Sequence, residues 1–159
     1  MVFRQKIQES GGCSFPCSIT ADYLEKLYIF KMDCHFDSLG NMKFQVIEPQ
    51  SISGITGRID HEGGKLIFDE QALAFELLAD GYITPVSAPW IMIKTVRSGY
   101  VAACGQDKET FHITFNDSYE EDALQLDVWI DSNCFPLRCE LIWAGRRILS
   151  LDVSSFSYL

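Results

Sequence analysis

The sequence predicts a mainly β (α+β) fold: a curved antiparallel sheet, or incomplete barrel, covered on its concave face by one or two helices. Two stretches carry this reading. In the last third, Leu124, Leu126, Val128 and Ile130 alternate with Gln125, Asp127 and Trp129. After a turn through Pro136, Leu137, Cys139, Leu141 and Trp143 alternate with Arg138 and Glu140, and Leu149, Leu151 and Val153 alternate with Ser150 and Asp152. A period of two with one dry side and one wet side marks half-buried antiparallel strands, here a three-strand meander. The second stretch, residues 85–99, is the best helix in the chain. Ser87 suits its cap, Pro89 its first turn and Arg97 its C-terminal half, and Gly99 is placed to close it in the left-handed conformation. Trp90, Ile93 and Val96 share one side, so this helix should lie on the dry face of the sheet.

The other elements follow in order. Residues 1–12 form an N-terminal segment, helical over residues 2–9 or partly disordered, and residues 13–159 form a single β-rich half-barrel domain. Cys13, Phe15, Cys17 and Ile19 alternate with Ser14, Ser18 and Thr20, and Pro16 suggests an edge or a bulge. Tyr28, Phe30, Met32, Cys34 and Phe36 oppose Lys31, Asp33 and His35. Residues 37–41 make a hairpin turn in which Gly40 and Asn41 can take positive φ. Met42, Phe44 and Val46 continue the dry face until Glu48-Pro49. Residues 51–60 read as a strand bulged at Gly54, residues 61–64 as a tight turn into a strand over 65–69, and residues 72–79 as a further strand. Residues 100–104 and 111–115 precede the meander.

At 159 residues and 47% hydrophobic, the chain is long enough to bury one core. A net charge of −9 repels phosphate backbones and anionic membrane surfaces, which sets nucleic acid aside. No apolar run approaches the roughly 20 residues that cross a bilayer, and residues 1–12 lack the apolar middle of a signal peptide. Ser10-Gly11-Gly12-Cys13 bears a faint likeness to a lipid-attachment site.

Six cysteines are present: Cys13, Cys17, Cys34, Cys104, Cys134 and Cys139. Their spacings make no clean zinc pattern. Small buried core residues are one reading of Cys13, Cys17 and Cys34. A Cys17–Cys34 disulfide is the other, if residues 20–27 form the hairpin corner and set the two opposite each other, about 4.5–5.5 Å apart at Cα.

The search for chemistry is thin. No Gly-x-Ser-x-Gly elbow, phosphate loop or dinucleotide fingerprint occurs. Cys34 and His35 are neighbours in a strand and point to opposite faces. Cys104 meets His112 only if the intervening hairpin allows it, and the bland reading of His112 is a solvent-side strand residue. The acidic run 117–122 lacks the pattern of a calcium loop and reads as a solvated turn. Trp129 lies opposite Leu126 and Val128, exposed or covering a partner surface. Neither a metal site nor a cofactor is expected.

The order of elements resembles the bacterial lipoprotein-carrier superfamily, the LolA-like periplasmic and cell-surface proteins. The resembling residues are those at 40–44, Glu48-Pro49, those at 54–59, and above all those at 126–130 with Pro136, Arg138 and Glu140. The resemblance implies a non-enzymatic, extracytoplasmic or cell-surface protein that holds a lipid acyl chain or other apolar group between sheet and helix. A wall of Phe30, Met32, Phe44, Trp90, Val128 and Trp143 would suit such a ligand. The same six also describe a filled core, and the alternative function is then a structural or interaction module of the cell envelope, bound to a protein partner.

Overall fold

A computed structural model of the chain describes residues 1–59, 66–68, 78–79 and 83–159. One antiparallel sheet runs β5-β4-β3-β2-β1-β10-β9-β8-β7-β6, and a short β11 adds to β1. Its strands are β1 (Gly12–Asp22), β2 (Leu27–Asp37), β3 (Met42–Glu48), β4 (Thr56–Ile59), β5 (Leu66–Phe68), β6 (Tyr100–Asp107), β7 (Thr110–Asn116), β8 (Gln125–Ile130), β9 (Pro136–Trp143), β10 (Arg146–Val153) and β11 (Ser157–Tyr158). The sheet is a mainly β, open half-barrel, as the alternation predicts. Two meanders, β1 to β5 and β6 to β10, are joined where β1 pairs with β10 in the register Ile19 to Leu151.

The dry face is continuous across that seam. Cys17, Ile19, Phe30, Met32, Cys34, Phe44 and Val46 come from one half, and Phe115, Leu126, Val128, Cys139, Leu141 and Leu151 from the other, all of them buried. The wet face carries ion pairs. Arg138 Nη1 donates to Asp152 Oδ1 at 2.7 Å, while Arg138 and Arg147 both reach Glu140 Oε1 at 3.0 Å.

Two helices cover the dry face, α1 (Val2–Glu9) and α2 (Ala88–Ser98), the second entered through a 3-10 turn at Pro85–Ser87. Met92, Ile93 and Val96 of α2 are buried, and Trp90 is half-buried at its margin. The ends of α2 differ from expectation. Ser87 precedes the helix without capping it, because its hydroxyl donates to the Thr84 carbonyl. Gly99 is extended, at φ −75° and ψ 173°, rather than left-handed. It is needed for space instead. A Cβ there would stand 2.6 Å from the Thr95 carbonyl oxygen and 2.9 Å from that of Asn116.

Three further local expectations change. Gly54 takes φ 90° in a turn after a 3-10 turn at Gln50–Ile52, so the glycine lies outside the strand, which starts only at Thr56. At the β2–β3 turn Gly40 has φ 86°, but Asn41 does not need positive φ. There the Asp37 carboxylate accepts from the backbone N–H groups of Leu39 and Asn41. The Ser10–Cys13 motif runs into β1 with Cys13 only 2% exposed, so its sulfur lies inside the core. The turn expected at 61–64 lies outside the described residues, as does the strand expected at 72–79 apart from Leu78, which bridges Ile83, and Ala79.

Leu126 and Gly99 test this packing. Leu126→Ala should lower unfolding free energy by about 2–5 kcal/mol through the cavity it leaves. Gly99→Ala should cost about 1–3 kcal/mol by forcing α2 off β7. Urea unfolding followed by far-UV circular dichroism measures both.

Candidate functional site

The placement of α1 sets where the cover ends. Arg4 reaches across to the last turn of α2. Its Nε donates to the Val96 carbonyl at 2.6 Å and its Nη2 to that of Gly99, with the guanidinium over the Phe115 ring. Gln8 donates to the Arg97 carbonyl, and Lys6 to that of Asn133 in the β8–β9 turn. These bonds satisfy carbonyls that a helix end or a turn leaves open. They hold α1 with Phe3 and Ile7 buried against the sheet.

Beyond the N-terminus of α1 the dry face is uncovered. A groove of about 420 Å³ opens there, lined by Met1, Val2, Phe3, Cys104, Gly105, Phe111, Ile113, Ile130, Asp131, Ser132 and Cys134. Ile113 and Ile130 form a nearly buried floor, Phe111 is 37% exposed, and Val2 at the mouth is 59% exposed. Apart from Asp131 and Ser132 the lining side chains are apolar or sulfur-bearing. Behind the β8–β9 turn an aromatic group stiffens one wall: Phe135 packs on Phe156 and Tyr158, and the Tyr158 hydroxyl donates to the Cys134 carbonyl.

The six residues singled out in the sequence lie elsewhere. Phe30, Met32, Phe44 and Val128 are each no more than 4% exposed inside the core, while Trp90 and Trp143 pack half-buried against it. None of the six lines the apolar groove; Trp90 lines a smaller cleft of about 210 Å³ with Gln8, Leu39 and Lys94. The groove residues on β7 were visible as alternation, since Phe111 and Ile113 flank His112. What the sequence did not signal is that α1 stops short of them.

The cysteines are free thiols. Cys34 stands opposite Phe15, and Cys17 opposite Met32, so the register is two residues away from the one a Cys17–Cys34 disulfide requires. The corner is tighter than expected because β1 extends to Asp22. Cys104 faces Ile113 across the β6–β7 pair while His112 faces Gly105, which puts thiol and imidazole on opposite sides of the sheet. His112 instead stacks on Trp129, 4.5 Å between centroids and 6° between planes, on the wet face beside Asp127. Trp129 is thus half-buried by a neighbour of its own chain. Burial pushes the Cys13 thiol up to about 12, and burial with the adjacent Cys17 raises Cys34 well above the usual thiol range. Among the described residues no three potential metal ligands cluster, and no described helix is long and apolar enough to cross a membrane.

No family model and no curated protein matches the chain. Solved structures similar to it include a LolA superfamily protein from Nitrosomonas europaea, at 10% identity and TM-score 0.45 over 99% of this chain and 92% of that one. An uncharacterized conserved protein from Thermus thermophilus is similar at 11% identity and TM-score 0.47, over 99% and 84%. A putative outer membrane lipoprotein-sorting protein domain from Vibrio parahaemolyticus is similar at 7% identity and TM-score 0.43, over 98% and 88%.

The raised thiols carry a pH signature. A thiol held at about 12 in the fold, against 9.0 unfolded, favours folding fully below pH 9.0 and loses that contribution as pH rises toward 12. Urea midpoints should therefore fall across this alkaline range, and fall less steeply in Cys13→Ala. At neutral pH Ellman's reagent should modify exposed Cys104 first and leave Cys13, Cys34 and Cys139 unreacted until the chain unfolds.

Proposed function

We propose that this protein is a non-enzymatic, extracytoplasmic binding protein that holds an acyl chain or other apolar group in the groove between α1 and strands β6 to β8. The observation that carries the reading is the groove itself: about 420 Å³ with an isoleucine floor beside the buried core. Ligand sites are concave, mostly apolar and roughly 300–1,000 Å³ in volume. Burial of about ten methylenes would contribute about 8 kcal/mol, at about 0.8 each. Lost freedom takes back about 4 kcal/mol or more. The balance is reversible binding, which suits holding and releasing a ligand. Phe30, Met32, Phe44 and Val128 then belong to the buried core, and Trp90 and Trp143 to its edge, rather than to the wall that meets the ligand.

A second reading, an envelope interaction module without a ligand, is favoured by the same core: Met32 and Val128 are wholly buried, so the centre of the dry face is filled by side chains.

Fluorescence of N-phenyl-1-naphthylamine, with displacement by palmitate, separates the two. Saturable binding that falls about tenfold or more in Ile113→Glu, and is kept in Trp143→Phe, is the expected result. Absence of saturable probe binding by the folded protein would leave the second reading standing.

A further inference from the structure

Strand β6 ends the sheet. It pairs with β7 on one side, and no described strand pairs with the other. All eight of its residues are exposed. Edge strands usually carry Lys, Pro or a bulge that keeps other chains from pairing with them. The sequence of β6, Tyr-Val-Ala-Ala-Cys-Gly-Gln-Asp, has no Lys and no Pro. Its one such device is a register shift between Val101 and Ala103. That shift leaves residues 103–107 regularly paired on the inside and open on the outside, a free edge of about 16 Å. Beside this edge, on the dry face, lies the groove, with Phe111 at its rim and Ile113 in its floor.

The charges around the edge select its occupant. Asp107 and Glu109 stand at one end, with Asp131 across the groove. At the other end Asp117, Glu120, Glu121 and Asp122 belong to a loop held against the start of β6 by the Tyr100–Tyr119 ring contact, 3.7 Å between centroids. Lys108 is the only Lys or Arg between Tyr100 and Asp131, and Arg4, behind Gly99, is engaged with backbone carbonyls. A second copy pairing antiparallel through β6 would set the 117–122 loop of each chain against Asp107 and Glu109 of the other. Acid would meet acid in a chain of net charge −9, so self-pairing is opposed.

We propose that β6 binds an extended cationic peptide segment by strand addition. The peptide backbone pairs with residues 103–107. Its alternate apolar side chains lie on the dry face beside Cys104, one strand out from Phe111 and Ile113, and its Lys or Arg residues at either end meet the two acidic clusters. This goes beyond the apolar-ligand reading, because an acyl chain has no backbone to pair.

The test is fluorescence anisotropy with a labelled peptide of alternating Val and Thr bearing Lys at both ends, alongside a copy N-methylated at alternate backbone positions. Saturable binding is expected, with amide resonance shifts on residues 103–107. Loss of the peptide's donors should weaken it about tenfold or more. Asp107→Lys with Glu109→Lys, both exposed at a hairpin tip, should weaken it while the circular dichroism spectrum stays unchanged. Equal binding of the methylated copy would overturn the proposal, as would absence of shifts on β6 or sedimentation showing that β6 is occupied by a second copy. Each of these readouts is independent of whether N-phenyl-1-naphthylamine enters the groove.

Discussion

An open antiparallel sheet with one dry face has to be covered, and nearly everything else in this molecule follows from how that is done. Closure would remove the problem, but β5 and β6 end the sheet without meeting in the described pairing. The cover is therefore two helices, and their position is set by a few polar bonds rather than by the apolar packing alone. Arg4 is central among these, because apolar packing has little direction whereas two hydrogen bonds to the end of α2 fix both distance and angle. The absence of a side chain at Gly99 lets the same helix end approach β7 closely.

Because α1 is held at that point, its N-terminus leaves the far end of the dry face open, and the groove is the remainder. The edge strand beside it, β6, is exposed because it ends the sheet, with no described strand on its outer side. This end of the sheet thus carries two surfaces of different chemistry. One is an apolar trough suited to methylene groups, and the other a row of unpaired backbone groups framed by carboxylates. The wet face takes no part in either. Its Arg138–Glu140–Asp152 ion pairs and the His112–Trp129 stack are partly exposed and add modestly to stability.

Much of the fold was legible because strands of this kind write their burial into the sequence every second residue. The meander of β8 to β10, the β2–β3 hairpin and the span of α2 were read from alternation, a turn and a helical stripe. Turn chemistry was read less well. At Gly54 a change in the phase of apolar residues looked like a bulge, but the chain makes a 3-10 turn and restarts the strand. At Gly99 a glycine after a helix suggested a left-handed cap, whereas close approach to β7 was the cause.

By itself the sequence determined which side of each strand is dry, because that depends only on the order of apolar and polar residues along one chain. It also determined that Cys34 and His35 point apart. Only the tertiary structure decided which dry residues stay uncovered. Phe30 and Phe111 are both phenylalanines in alternating strands, yet one is 1% exposed in the core and the other 37% exposed at the rim of the groove. The end of α1 that leaves the groove open is held by Arg4 and Lys6 reaching groups more than ninety residues away in the chain, and contacts of that separation leave no local pattern to read.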